Sequence, residues 1–355
     1  MSGDGLRPDL PGSLCPAPIH DRKRIVLGHG SGGKLTSELV QNIFLSVFHN
    51  DVLDRLDDQA VFEIGSVRLA FTTDSFVVTP LFFPGGDIGK LAIHGTVNDL
   101  AMSGARPLYI SAAFILEEGL ELEELQRVVS SMRAASDGAG VQLVTGDTKV
   151  VERGKGDKLF ITTTGIGVIE RPLQISADQA RPGDKIILSG TIGDHGMAIM
   201  STREGLEFEG EIRSDTAPLN GLVNAMLKAS SEVHVMRDPT RGGLATTLNE
   251  IASRSKIGIT VEQQRIPVHE AVQGACEILG IDPLYVANEG KLVAFVASAD
   301  AERVLDSMRN QILGVEARII GEAVAEHHGK VLMKTDVGGT RILDTMFGEQ
   351  LPRIC

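Results

Sequence analysis

Residues 24–48 read RIVLGHGSGGKLTSELVQNIFLSVF, and this stretch decides the class of fold. Its first four residues, Arg24–Leu27, favour a short β-strand, and a glycine loop follows over Gly28–Lys34. From Thr36 to Phe48 the apolar residues recur at helical spacing. A strand, a glycine turn and a helix in succession are typical of α/β proteins. We therefore predict an α/β (α+β) fold.

The glycine loop almost matches the P-loop pattern, in which two glycines frame four residues and Lys plus a hydroxyl residue follow. Leu35 stands where that pattern places the Ser or Thr that ligates Mg²⁺. The loop still favours phosphate binding, because backbone N–H groups and a lysine balance phosphate charge. A plain structural turn is the alternative. The residues predicted to bind nucleotide phosphates here are Gly30, Ser31, Gly32, Gly33 and Lys34.

Acidic residues recur at or near the ends of predicted elements. They stand in the runs Asp57-Asp58-Gln59, Thr73-Asp74-Ser75, Asn98-Asp99-Leu100 and Gly146-Asp147-Thr148. Mg²⁺ takes carboxylate and amide oxygens together with substrate phosphates. Each Asp alone could equally be a helix cap or a turn former, so the prediction of a metal site depends on the four runs taken together. The pattern predicts an ATP site with Mg²⁺ bound by Asp58, Asp74, Asp99 and Asp147, and with Asn98 supporting.

Composition narrows the classes of function. The net charge is -13, with 47 Asp and Glu against 34 Lys and Arg. Nucleic-acid binding is disfavoured, because no basic stripe is present to neutralise phosphates. No apolar run approaches the roughly 18 residues that a bilayer crossing needs. The three cysteines form no CxxC pair, which favours a reducing compartment and a cytoplasmic protein.

The last residue, Cys355, carries a thiol at the very end of the chain. Chain ends are wet and poorly packed, so a terminal cysteine is better suited to carrying a group on sulfur than to packing. A chance residue on a disordered tail is the alternative. The 14 residues of 342–355 could extend by nearly 50 Å at about 3.5 Å each. Such a reach would let the thiol visit two places.

Composition and element spacing divide the chain into four parts. A domain boundary is predicted at Glu170–Leu173, before regular structure begins again after Arg181. The first two dozen residues are rich in Pro and Gly. The predicted parts are a disordered extension (1–24), an N-terminal ATP-binding domain (25–170), a C-terminal α/β domain (171–341) and a mobile tail (342–355). Strands are expected at 67–73, 108–116, 158–168, 185–189, 292–297 and 317–324, and helices at 90–103, 120–138 and 299–312.

Several of these motifs resemble one known family, the HypE hydrogenase maturation factors. The similarity covers roughly residues 25–355, and its middle motifs alone would indicate only a wider superfamily. That superfamily contains aminoimidazole-ribonucleotide synthetase, selenophosphate synthetase and thiamine-phosphate kinase. The motifs that carry the resemblance are GHGSGGKLT at 28–36, TDSFVV at 73–78, NDLA at 98–101, GDTKV at 146–150, DPTRGG at 238–243, NEG at 288–290 and PRIC at 352–355.

The resemblance implies a two-domain synthetase-like fold and a homodimer formed through the N-terminal sheet domains. It also implies a carbamoyl dehydratase that makes the cyanide ligand of [NiFe]-hydrogenase. In that family HypF carbamoylates the terminal thiol, here Cys355, and ATP drives conversion of the S-carboxamide to S-cyanate. The cyano group then passes to iron on the HypC–HypD complex.

The implied chemistry assigns roles to further residues. Asp74, Asn98 and Asp147 would contact the nucleotide, and Lys149 would stabilise charge on the carbamoyl oxygen and the transferred phosphate. Glu289 would be the base that takes the amide protons. Lys149 could instead be an ordinary solvated lysine, and Glu289 a helix or turn carboxylate.

Two other functions remain open from the sequence. A kinase-like relative would phosphorylate a free small molecule, and Cys355 would then be incidental. A non-catalytic binding module would use its nucleotide only to control docking to HypC–HypD. The fate of the terminal thiol discriminates among the three functions.

Overall fold

The computed structural model describes residues 24–206, 211–346 and 354. Two sheets dominate it, one in each half of the chain. The N-terminal sheet has the order β1-β2-β7-β5-β6, and the C-terminal sheet has the order β14-β13-β10-β12-β8-β11-β9. The strands are β1 Ala60–Ile64, β2 Val67–Phe76, β3 Phe82–Phe83, β4 Gly86–Asp87, β5 Arg106–Glu117, β6 Gln142–Val151, β7 Leu159–Ile169, β8 Lys185–Leu188, β9 Val233–Arg237, β10 Gly258–Glu262, β11 Val293–Val296, β12 Arg318–Val324, β13 Val331–Lys334 and β14 Thr340–Leu343.

The helices stand between groups of strands along the chain, so the order of elements is mixed. A 3₁₀ turn, Leu27–Gly30, precedes α1, and a π-helical segment, Val40–Leu45, joins α1 to α2. The helices are α1 Lys34–Leu39, α2 Ser46–Phe48, α3 Ile88–Met102, α4 Leu122–Ala139, α5 Asp194–Glu204, α6 Asn220–Ala229, α7 Gly243–Ser255, α8 Glu270–Leu279 and α9 Ala301–Arg309.

Helix α3 is the central packing element. The side chain of Asp87 caps its N-terminus by accepting from the backbone N–H groups of Gly89 and Lys90. The helix lies on one face of the N-terminal sheet and also contacts α4, α6 and β9, so nearly all its side chains are buried. One apolar core cluster includes Ile88 of this helix and Met197 of α5, and it therefore joins the two halves. We call the sheet face under α3 the inner face.

Most of the elements predicted from apolar spacing are confirmed, among them α3, α4, β5, β7 and α9. The strand predicted at Arg24–Leu27 is wrong. Residues 24–26 have no regular structure and Leu27 begins the 3₁₀ turn. Ile25 and Leu27 are exposed, because none of the described strands pairs with this run.

The predicted tail boundary is two residues too early. Strand β14 runs to Leu343, which is buried and pairs with Val331 of β13. Residues 342 and 343 therefore belong to the C-terminal sheet. Of the tail beyond them, the structure describes 344–346 and Ile354, and Cys355 lies outside the described residues. The predicted extension 1–24 lies outside them too, except for Arg24. Every helix that the structure describes is too short or too polar to cross a bilayer.

Candidate active site

A cluster of carboxylates lies where the two halves of the chain meet. Asp58 precedes β1, Asp74 lies on β2 and Asp99 lies in the last turns of α3. Asp238 follows β9, and Glu289 lies in the loop before β11. Thr72, two residues before Asp74, donates a hydrogen bond to the Asp99 carboxylate at 2.8 Å, which ties β2 to α3. Three of the four predicted metal ligands are therefore brought together.

Each carboxylate in this cluster has a raised pKa. Burial raises the pKa of Asp99 well above its ordinary value, and the charges of Asp238, Asp58 and Asp74 raise it further. Burial likewise raises the pKa of Asp58, although the guanidinium of Arg237, 2.6 Å away, opposes the shift. Burial raises the pKa of Asp238 to about 6. The cluster thus holds more negative charge than its neighbours balance.

Mg²⁺ fits this excess of negative charge. Among the residues described, no three His, Cys, Asp or Glu side chains already stand close enough to hold a metal ion. An all-protein cage is not what Mg²⁺ requires, since it commonly binds one or two carboxylates plus substrate phosphates and waters. The Oδ2 atom of Asp58 is buried and accepts no hydrogen bond within the described part of the chain, although it forms an ion pair with Arg237 at 2.6 Å. The donor set therefore suits a metal that arrives with a phosphorylated ligand.

The raised pKa of Asp238 predicts a pH-dependent stability. Its folded pKa of about 6 exceeds the ordinary value of 3.8, so the folded state binds the proton more tightly. The contribution of Asp238 to stability is then fully present below pH 3.8 and is lost as the pH rises through about 6. The loss is about 3 kcal/mol at most. We expect the Tm of metal-free protein to fall by several degrees across this window and the fall to disappear in Asp238→Asn.

Calorimetry across that window, with and without Mg²⁺, checks this expectation. Mg²⁺ should raise the Tm above the window, where Asp238 is ionised, and have little effect below it. Asp137→Asn is the control, because Asp137 is exposed on α4 and pairs only locally with Arg133. A pH response that is the same in both variants and the wild type would contradict the assignment.

Glu289 is buried at 3% exposure, which its charge alone would not favour. Burial raises its pKa well above the ordinary value, and the charges of Asp238 and Asp215 add to the shift. Its Oε1 atom has no hydrogen-bond partner in the described part of the chain. The backbone N–H of Glu289 donates to Asp215 Oδ1 at 3.0 Å, which holds the loop through its backbone. A base that must take a proton near neutral pH needs these properties.

The glycine after Glu289 fixes this loop. A Cβ on Gly290 would lie 1.9 Å from the backbone oxygen of Asp215, a distance that no side chain tolerates. The close approach lets the segment containing Asp215 pass directly beside Glu289. It explains why the NEG motif requires its last residue.

Asn98 is buried between the two halves, but its polar atoms are already engaged. Its amide nitrogen donates to the carbonyl oxygens of Ala217 at 3.0 Å and Glu289 at 3.2 Å. Its oxygen accepts from the backbone N–H of Leu219 at 2.8 Å. Asn98 therefore acts as a tie that positions Glu289, and these contacts do not support the predicted contact with nucleotide.

The glycine loop lies on the C-terminal half, against the DPTRGG turn. Gly32 has φ +78°, and a Cβ there would lie 2.7 Å from the backbone oxygen of Arg241. The Arg241 side chain donates to the carbonyl of Gly30 at 3.4 Å and faces Asp74 at 3.9 Å. Lys34 pairs with Asp344 at 3.0 Å, on the surface. Gly32, Gly33 and Lys34 line one side of a cavity of about 380 Å³.

Asp147 and Lys149 lie apart from the cluster. In register across the sheet, Asp74 pairs with Thr163 and Thr163 with Ala112, so these three share the inner face. Asp147 is opposite Ala113 and therefore points to the other face. Asp147 and Lys149 are paired at 2.7 Å and are 62% and 69% exposed. Within one chain they do not join Asp58, Asp74 and Asp99.

Sequence reasoning missed three residues of this site. Asp238 and Arg241 stand in the DPTRGG motif with no role in the site predicted for either, and Asp215 lies in no motif. The first two lie between the end of β9 and the start of α7, and thus near element ends, as the predicted acidic residues do. Asp215 stands in a segment without regular structure, and only its contact with Glu289 reveals it.

Comparison with known proteins shows which families the whole chain is similar to. The AIR synthase related protein models match residues 56–169 (N-terminal domain) and 181–334 (C-terminal domain). The carbamoyl dehydratase HypE of Azotobacter vinelandii is 58% identical over 92% of this chain and 96% of its own length. A crystal structure of a HypE–HypF complex has a TM-score of 0.83 at 48% identity, covering 87% of this chain and 99% of the other. HypE in complex with ATP has a TM-score of 0.79 at 50% identity, covering 94% and 100%.

Proposed function

The chain belongs to the HypE family of carbamoyl dehydratases, within the AIR synthase superfamily, and we propose that its substrate is its own C-terminus. ATP would drive dehydration of a carbamoyl group on the sulfur of Cys355 to S-cyanate, and the cyano group would pass to iron during [NiFe]-hydrogenase assembly. One observation carries this proposal. Ile354, the penultimate residue, is only 4% exposed and packs in the core cluster that contains Phe83 and Met197.

The chemistry balances in two steps. The thiocarbamate oxygen attacks the γ-phosphorus of ATP and displaces ADP. An N–H proton is lost, and the product is an O-phosphorylated imidate. The imidate then loses its second N–H proton and inorganic phosphate, which leaves sulfur bonded to C≡N. The net change is loss of one water from the carbamoyl group and cleavage of one ATP. A poor leaving oxygen has become phosphate, and a base is needed to take the protons.

The described residues divide this work. Asp58, Asp74 and Asp99, with Asp238, would hold Mg²⁺, which neutralises phosphate charge during transfer. Arg241 and the backbone of the glycine loop would contact the phosphates, with Lys34 released from Asp344. Glu289 would take the amide protons. Burial raises its pKa, so it binds a proton more tightly than an exposed glutamate does.

Lys149 and Asp147 would reach such a site from a second copy of the chain. The sheet face opposite α3 carries the exposed apolar side chains Phe71, Tyr109 and Ile115. Strand β6 is the edge of the sheet, and 142–150 are exposed throughout. An apolar sheet face beside an open edge strand favours pairing with another copy. Lys149 lies on this face, so a dimer formed through it brings a lysine from each partner.

Complementation tests this arrangement. Lys149→Ala and Glu289→Gln chains should each fail in dehydration alone, and mixed dimers should recover roughly a quarter of wild-type activity, because half the dimers carry one intact site of two. Sedimentation should show dimers, and Phe71→Glu should give monomers. A cis arrangement, in which Lys149 serves its own chain, would give no recovery.

The test of the function itself follows the mass of the intact protein. Incubation with HypF, carbamoyl phosphate and ATP should add a carbamoyl group to the chain, and Mg-ATP should then remove one water. Carbamoylated protein that keeps its water would favour a non-catalytic binding module. Phosphorylation of a free small molecule, with no change in protein mass, would favour a kinase-like relative.

Partners and location follow from the same proposal. HypF would supply the carbamoyl group, as the solved HypE–HypF complex supports, and HypC–HypD would accept the cyano group. A thiol-borne intermediate needs a reducing compartment, which supports a cytoplasmic location. Pull-down of HypF and of HypC–HypD, each with carbamoylated and with cyanated protein, would show which modified form each partner binds.

A further inference from the structure

The carbonyl oxygen of Ile354 has a buried hydrogen-bond donor. The Nε2 atom of His195, at the start of α5, lies 2.6 Å from it. The imidazole is fully buried, and the ring of Phe83 packs edge-on against it with centroids 5.6 Å apart. The side chain of Ile354 packs in the same apolar core cluster. Both the backbone and the side chain of the penultimate residue are therefore bound.

The other nitrogen of His195 is also engaged, and this fixes the tautomer. Nδ1 lies 2.8 Å from Ser214 Oγ, and the same oxygen accepts from the backbone N–H of Thr216 at 3.2 Å. A carbonyl can only accept, so Nε2 must carry the proton toward Ile354. Ser214 then donates its hydroxyl proton to Nδ1. Burial lowers the pKa of His195, which keeps the ring neutral in this tautomer.

The residue after Ser214 connects this contact to the active site. The charge of Asp215 raises the pKa of His195 and also that of Glu289, so its carboxylate lies near both. Asp215 accepts the backbone N–H of Glu289 at 3.0 Å. Lys291 faces the same carboxylate at 3.7 Å. Segment 214–216 therefore spans the distance from the bound Ile354 to Glu289.

We propose that the His195–Ser214 pair is a dock for the C-terminal tail, in which the imidazole N–H holds the Ile354 carbonyl and thereby positions the terminal thiol for Glu289. Consecutive Cα atoms are about 3.8 Å apart, so a bound Ile354 confines the residue that follows it. His195 is a positioning residue and touches no reacting atom. The inference rests on the proposed function for its purpose, but the docking contact can be measured without it.

Alkylation of the Cys355 thiol measures docking directly. A Cys15→Ser background leaves Cys276 as the other thiol, and Cys276 is buried with a pKa raised to about 12 by that burial. We expect His195→Ala to speed alkylation by iodoacetamide about fivefold, as loss of one buried hydrogen bond implies. Dehydration should slow by a similar factor with the KM for ATP unchanged. His195→Gln should restore both rates, because a Gln amide N–H can replace Nε2–H.

The controls separate docking from folding and from function. His94→Gln changes a buried histidine that contacts Thr216 of the same segment, and it should behave as wild type. Ile354→Glu alters the tail alone and should also speed alkylation, so a poorly folded His195 variant does not decide the matter. Alkylation of His195→Ala within twofold of wild type, or His195→Gln matching His195→Ala, would overturn the proposal. Wild type that docks its tail but never loses water would instead remove the proposed function.

Discussion

Replacing Glu289 with glutamine should leave carbamoylation intact and slow dehydration by about 10²- to 10⁴-fold, the usual contribution of a positioned base. Gln has nearly the same volume and keeps the loop contacts of this buried residue, because those contacts use its backbone. Its amide cannot take a proton from the thiocarbamate nitrogen. Intact mass after HypF and carbamoyl phosphate, with Mg-ATP added in a second step, separates the two reactions.

A second measurement identifies the titrating group. Because a base acts when deprotonated, the raised pKa of Glu289 should place the acidic limb of the rate profile above the ordinary range for Glu. Asp215→Asn removes one charge that raises this pKa, so the limb should move to lower pH. Glu277→Gln, an exposed change on α8, is the control and should leave the profile unmoved. A normal dehydration rate in Glu289→Gln would remove Glu289 from the mechanism.

Replacing Cys355 with alanine should abolish the reaction entirely, because the proposed carrier thiol is then absent. A thiolate is the nucleophile that accepts the carbamoyl group, and burial holds Cys276 as an unreactive thiol. The chain with Cys355→Ala should therefore keep its unmodified mass with HypF, carbamoyl phosphate and ATP present. Cys276→Ala and Cys15→Ser should be modified as wild type is. Modification of the Cys355→Ala chain would end the carrier-thiol assignment.

Local pattern predicted much of the fold. The apolar spacing of α4 and α9 and the buried runs of β5 and β7 identify those elements, because burial on one or both faces imposes a period. The strand expected at Arg24–Leu27 fails for the complementary reason. A run of apolar residues forms a stable strand only where a neighbouring strand pairs with its backbone. The local sequence does not show which strand that would be.

The sequence by itself determined the chemistry that the chain has available. It placed a thiol on the last residue, glycines where the backbone must turn or approach closely, and carboxylates at element ends. These features are local, so single motifs suffice to read them. They also carried the family resemblance, which comparison over nearly the whole chain confirmed.

Only the tertiary structure decided which of these groups meet. Strand order and the alternation of side chains put Asp147 and Lys149 on the sheet face away from Asp74, although all three stand in similar motifs. Where the two halves meet, Asp238 joins the carboxylate cluster and Asn98 forms hydrogen bonds with backbone groups of the other half. His195 contacts Ile354 in the same way, across a long separation in sequence. Contacts between residues far apart in sequence depend on packing and register, and no local period encodes them.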